Sequence, residues 1–289
     1  MAAFVKKYPV TAWLIVATAV SLAVTALVIA HLVPDWVALF ATFGSSLAGL
    51  GFAAFIDGKA GVYEMLNRLR IWRVGLGWWA VAILALAPIV LVGITLNAIL
   101  DLTPFELSEL SVILNVVPGL VVFTVLSGLG EELGWRGFVL PRLQARYTAL
   151  VASIFVAFIW TLWHVPLFFS EIEDLPYFGL KEEYGPAVAI GGFFLYLSAW
   201  SVLFTWMFNN TSGSLLLVSV FHASQVWVHN LPVDVQDPKL YVPGLTTAMV
   251  VAMLAVIVYY GPQHLSRTAT RITYQSPQPP ATRAVPVTV

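Results

Sequence analysis

Two adjacent acids and an arginine stand inside an otherwise apolar stretch, Leu126-Ser127-Gly128-Leu129-Gly130-Glu131-Glu132-Leu133-Gly134-Trp135-Arg136-Gly137-Phe138. An ionisable group at membrane depth costs roughly 2.5–3.5 kcal/mol on insertion scales, so three together mark a functional site by default. Glu132 and Arg136 lie four apart with the acid N-terminal, the favoured orientation for an ion pair on one helix face, and pairing offsets two costly charges. Glu131 is rotated about 100° from that face and has no basic residue at the matching offset, which leaves it as the acid available for proton transfer. Two histidines can complete it: His164, in Trp160-Thr161-Leu162-Trp163-His164-Val165-Pro166, and His222, in Phe221-His222-Ala223-Ser224-Gln225-Val226. A carboxylate with two imidazoles can activate a water as a general base and stabilise charge on a substrate oxygen. Glu131, His164 and His222 with an open position would equally be the ligand set of a catalytic divalent metal such as zinc.

Other chemistries are closed off. The chain has no cysteine, which removes thiolate catalysis, disulfides and Cys-ligated zinc. A formal net charge of −1 without a concentrated basic surface gives no basis for nucleic-acid binding. No G-x-S-x-G surrounds Ser127, which speaks against a serine protease, and no H-E-x-x-H supports the metal reading independently. Taken singly, an intramembrane histidine as readily hydrogen-bonds a neighbouring helix as catalyses, and the glycines at 128, 130, 134 and 137 read first as a packing surface. The conjunction on three helices is what packing alone does not explain.

The elements that must position these groups are membrane helices. The chain of 289 residues is 60% hydrophobic and 10% charged, with a mean hydropathy of +0.87, far from a soluble domain. Apolar runs of about 20 residues, enough to cross the hydrocarbon, fall near 9–32, 36–56, 76–99, 111–140, 149–169, 187–208, 214–230 and 242–260. The expected fold is therefore all-α and polytopic, with about eight transmembrane helices. Of the fourteen Lys and Arg residues, all but Lys181 and Lys239 fall on one side when the N-terminus is inside, so both termini are expected in the cytoplasm. The first run is too long for a signal-peptide core and reads as an uncleaved anchor.

Three divisions follow: N-terminal helices over 1–110 with a basic interfacial segment near 62–75, a catalytic helical core over 111–260, and a tail over 261–289. Residues 66–74 mix arginines with apolar residues as a short interfacial amphipathic helix would, although a simple positive-inside anchor is the favoured reading. The tail, rich in Pro, Thr, Gln and Ser, is expected to be disordered. Within the core, an antiparallel hairpin turning near Arg146-Tyr147-Thr148 sets Glu131 and His164 at equal depth, facing each other. Pro166 disturbs the helix just past His164, and His222 lies at a similar depth, nine residues beyond the Gly213 turn.

At these residues the sequence resembles the CAAX protease and bacteriocin-processing (CPBP, or Abi) family of intramembrane proteases, which includes the type II CAAX prenyl endopeptidases. Its EExxxR motif matches Glu131 to Arg136, its aromatic-xxx-His motif matches Trp160 to His164, and its His-xxx-(Asn or aliphatic) motif matches His222 to Val226. The first is specific in its glycine-rich setting; the other two are weak alone. The resemblance implies intramembrane peptide-bond hydrolysis, with Glu131 and His164 activating water and His222 stabilising the oxyanion, whether metal-independent or metal-dependent. Val226 stands where the prenyl endopeptidases carry an Asn that helps to bind the oxyanion. That departure puts prenyl-peptide cleavage in doubt and makes Gln225 the candidate replacement donor.

The partners expected are membrane lipid and a peptide or membrane-protein substrate, in a prokaryotic inner membrane; no sequence feature marks an oligomeric state. A transporter or proton relay would also place Glu and His in a polar intramembrane cavity, but it predicts an internal repeat, and none is visible. A non-catalytic membrane scaffold would tolerate Glu131→Gln, which an enzyme would not.

Overall fold

The structure, a computed structural model, describes residues 2–84, 118–169, 180–181, 184–229 and 238–275. Every regular element among them is helical. Helix α1 (Ala2–Lys7) breaks at Tyr8, and Pro9, whose missing N–H costs nothing at a first turn, opens α2 (Pro9–Ile29). A 3-10 stretch over Asp35–Thr42 leads into α3 (Phe43–Asn67), which kinks at Gly58, where φ is +63°. Then come α4 (Leu76–Leu84), α5 (residues 118–144), α6 (Ala149–His164), α7 (Pro186–Asn210), α8 (Leu215–His229) and α9 (Pro238–Tyr260).

Three of the described helices are long and apolar enough to cross a membrane: Pro9–Val28, Phe40–Arg70 and Pro186–Asn210. Shorter apolar helices, Ala149–His164, Leu215–Gln225 and Gly244–Tyr260, accompany them. Helix α7 is central: 61% of its apolar window is buried, against 22% for α2. It packs against α6, α8 and α9, and its Trp200, Phe204 and Phe208 join Trp135, Phe138 and Phe221 in the core.

Helix α5 carries the acid pair and has an unusual backbone. It is in π form over Thr124–Leu129 and again over Leu133–Val139, with one α-helical turn, Gly130–Glu132, between. Short π segments inside α-helices occur often at functional sites, and they disturb the carbonyl ladder. Hydroxyls at the start of α3 and just before it restore the bonding: Thr42 Oγ1 donates to the carbonyl of Leu126 at 2.9 Å, Ser46 Oγ to Leu129 at 2.7 Å and Ser45 Oγ to Glu131 at 3.0 Å. Close approach makes this possible. Gly134 lies so near Ser45 of α3, and Gly128 so near the Ser219 backbone of α8, that neither position has room for a Cβ.

The outer segments differ from expectation. Residues 66–74 form no separate amphipathic helix: α3 runs on to Asn67, a 3-10 turn covers Arg68–Arg70, and 71–75 is irregular. Arg68 pairs with Glu64 at 3.0 Å across one turn of the continuing helix, and Ser214 Oγ donates to the Ile71 carbonyl. Nor does disorder begin at Gly261. Residues 261–275 lack regular structure but are fixed by amide side chains: Asn209 donates to the His264 carbonyl at 2.9 Å, Asn210 to Leu265 at 2.9 Å and Gln144 to Ile272 at 3.0 Å. The second half of the run at 76–99, the start of that at 111–140, most of the acidic loops and the tail beyond 275 lie outside the described residues.

Candidate active site

The single α-turn Gly130–Glu132 aims two consecutive carboxylates in different directions. Glu132 is fully buried and meets Arg136 Nη1 at 2.9 Å, the expected i,i+4 pair. Arg136, also fully buried, has its guanidinium 4.3 Å from the Phe204 ring centre and 5.1 Å from that of Trp160, so aromatic faces share the work of holding the cation. Glu131 has no basic side chain bonded to it. It keeps 5% exposure, and its Oε2 accepts a hydrogen bond from the Trp135 indole N–H at 3.1 Å.

His222 is held by the other acid. Its Nδ1 lies 2.7 Å from Glu132 Oε1, the oxygen that also meets Arg136, and not on Glu131. Glu132 thus bridges an arginine of its own helix and a histidine of α8. His164 and Glu131 are not hydrogen-bonded to one another; His164 Nδ1 lies 2.8 Å from the Trp160 carbonyl. The hairpin register nevertheless holds, because Trp135 and Trp160, which obey the same equal-depth rule, have ring centres 5.8 Å apart.

The tautomers follow from these partners. A carbonyl and a carboxylate both accept, so the proton belongs on Nδ1 in each ring, and each presents Nε2 as its working nitrogen. Trp160 stands between the two histidines, 6.2 Å from His164 and 5.6 Å from His222 by ring centres. Phe193 packs edge-on to His164 at 5.1 Å, and Phe204 lies 5.5 Å from His222. Among the described residues the result is an aromatic-walled cluster with one ion-paired acid and one acid whose side chain is bonded only by an indole.

Gln225 donates from Nε2 to the Tyr196 hydroxyl at 3.2 Å, and its buried Oε1 has no partner among the described residues. Its amide is thus engaged by α7. The side chain of Val226 lies outside the described residues. Trp135 and Tyr196 were missed by sequence reasoning, although Trp135 stands at the same i,i+4 offset from Glu131 that paired Glu132 with Arg136.

A metal here would have to be met by Nε2 of each histidine and by Glu131 Oε1, because His222 Nδ1, His164 Nδ1 and Glu131 Oε2 are already engaged. Among the described residues no three His, Cys, Asp or Glu side chains converge at ligand spacing.

The family of type II CAAX prenyl endopeptidase Rce1-like domains matches residues 113–228. CAAX prenyl protease 2 of Methanococcus maripaludis is 31% identical over 137 residues, which make up 47% of this chain and 47% of that protein. Residues 113–228 are thus similar to the CAAX protease family. The matched region takes in α5, α6, α7 and nearly all of α8, and therefore every site residue from Glu131 to Val226. Helices α1 to α4 and α9 fall outside it. The chain spans about half the length of that curated relative, 47% of it.

Proposed function

We propose that the chain is a multi-pass intramembrane endopeptidase that hydrolyses a peptide bond at or within the membrane, with Glu131 as general base. The observation that carries this is the asymmetry of the acid pair: Glu132 is occupied by Arg136 and His222, while Glu131, also buried, has among the described residues only the Trp135 indole on its carboxylate. Glu131 takes a proton from a water that attacks the scissile carbonyl, and His164 Nε2 helps to orient that water. His222, anchored to Glu132 through Nδ1, stabilises the oxyanion from its Nε2 side. Glu131 then passes its proton to the leaving amine, which restores the carboxylate and balances the reaction.

The relative from Methanococcus maripaludis is named as a prenyl protease; here Val226 replaces the oxyanion-binding Asn of those enzymes, so the substrate proposed is a membrane peptide without a required prenyl group. The fold reading is about eight spans with both termini on the cytoplasmic side of a prokaryotic inner membrane. The absence of cysteine makes this testable with single introduced cysteines. Arg267→Cys should be labelled from inside and Lys181→Cys from outside by an impermeant maleimide; the reverse pattern overturns the orientation.

Activity is tested by cleavage of a peptide library with detergent-purified protein. Wild type should cleave with and without chelator, and Glu131→Gln and His164→Ala should not. Loss on chelation with restoration by zinc would replace the glutamate mechanism. Equal cellular function in wild type and Glu131→Gln would sink the enzyme reading.

A further inference from the structure

Two hollows adjoin at the end of the bundle where α1 meets α2. One is a cavity of about 360 Å³ lined by Lys6, Lys7, Arg142, Arg146, Tyr147 and Tyr274, among others. The second is an apolar groove of about 540 Å³ between α1, α2 and α3, walled by Val5, Val16, Val20, Leu47, Phe52 and Phe55. They are consecutive along two elements. On α1, Val5 lines the groove and Lys6 the cavity; on α3, Phe55 lines the groove and Ile56 the cavity. Neighbouring residues of the same two elements thus line both hollows, which sets the basic cavity beside the apolar groove.

Only part of the charge in that cavity is ion-paired among the described residues. Arg142 is matched by Asp57 at 3.2 Å, and Asp57 also accepts from the Tyr274 hydroxyl. Lys6, Lys7 and Arg146 form no ion pair among the described residues. Such a cavity calls for an anion, and Lys and Arg together suit a phosphate. The groove beside it calls for a chain of methylenes continuous with that anion. At the lateral face of α2 and α3, both apolar enough to span a membrane, the molecule that carries both features is a lipid, and the basic end lies where headgroups sit.

We propose that the cavity and the groove bind one anionic glycerophospholipid, its phosphate held by Lys6, Lys7 and Arg146 and an acyl chain laid along Val16, Val20, Phe52 and Phe55. The site is separate from the acid pair and lies outside residues 113–228, apart from the wall that Arg142 to Tyr147 contribute. Its ligand ties α1 and α2 to the end of α5. Gly51 supplies a way to block only the apolar half, because a side chain built there meets nothing within 4 Å and projects into the groove.

The experiment is native mass spectrometry and thermal unfolding of the detergent-purified full chain with phosphatidylglycerol or phosphatidylcholine of matched chains. A surface cation contributes about fivefold, so three cations predict a preference on the order of 100-fold for phosphatidylglycerol. Lys6→Ala/Lys7→Ala/Arg146→Ala should bring the two lipids level, while Lys6→Arg/Lys7→Arg/Arg146→Lys and a Lys59→Ala control should keep the preference. Gly51→Trp should weaken long-chain phosphatidylglycerol and leave dihexanoyl phosphatidylglycerol unchanged. Equal retention of the two lipids by wild type, or an unaltered preference in the triple alanine variant, overturns the proposal. So does an equal unfolding shift from inorganic phosphate, which would make this a free-phosphate site.

Discussion

Glu131→Gln keeps side-chain size and leaves an oxygen for the Trp135 indole, so it removes a proton acceptor from a site whose packing stays as it was. Peptide cleavage should fall by about 10²–10⁴-fold, the range of a lost general base, with an unchanged unfolding midpoint in detergent. Glu132→Gln should do the opposite first. It leaves Arg136 buried beside two aromatic rings with its ion pair broken, a change that costs about 3–5 kcal/mol when one partner of a buried pair is removed. A Glu132→Gln protein as stable as wild type would show that the pair does not hold α5. Trp135→Phe tests the indole alone: the ring still packs on Trp13, 4.6 Å away by centroids, and turnover should fall several-fold, in keeping with about 1 kcal/mol for one hydrogen bond.

These residues also show where sequence reading stops. The Glu132–Arg136 pair was legible because both partners ride on one helix at a fixed offset. The partner of His222 was not, because adjacent acids differ by only about 1.5 Å in depth, finer than any count of residues from a guessed interface. Which acid meets His222 is set by how α8 is rotated against α5, and that rotation depends on Gly128 lying against Ser219.

At the scale of elements, the glycines of α5 are selected by what touches them. Gly128→Ala and Gly134→Ala would each drive a Cβ into backbone atoms of Ser219 or Ser45, and each should destabilise by about 1–3 kcal/mol. Gly51→Ala on α3 meets open space and should gain up to about 1 kcal/mol from helix propensity. Unfolding midpoints of the three variants decide the matter; equal effects would mean that the close approach is not needed. The helix starts at Pro9 and Pro186 were readable to within a residue or so, since proline marks a first turn. The π turns were not readable: apolar periodicity does not distinguish i→i+5 bonding from i→i+4, and the hydroxyls that stabilise them come from residues 42 to 46, more than eighty positions away.

For the whole molecule, composition misjudged the segment after Gly261 because its order comes from other elements. A polar run without apolar periodicity cannot fold on its own, yet here it meets acceptors and donors already in place. The Pro262 and Gln263 carbonyls each accept at 3.0 Å from the first amides of α6, those of Leu150 and Ala149, which a helix N-terminus leaves without internal partners. Asn209 and Gln144, both buried, pair reciprocally at 2.8 and 3.1 Å and reach His264 and Ile272 with their remaining capacity. Tyr274 closes the strap through its backbone N–H to Pro141 and its hydroxyl to Asp57. One segment therefore joins α3, the end of α5, the start of α6 and the end of α7. Comparing chains that end at Gln275 and at Gly261 isolates its contribution. The shorter chain leaves several buried amide groups without partners, at about 1–3 kcal/mol each, and should unfold at a clearly lower temperature in detergent. It should also show faster hydrogen exchange at Ala149 and Leu150. If exchange at those two amides is the same in both chains, the strap rests on the bundle without capping α6, and its order is a consequence of the fold rather than a support for it.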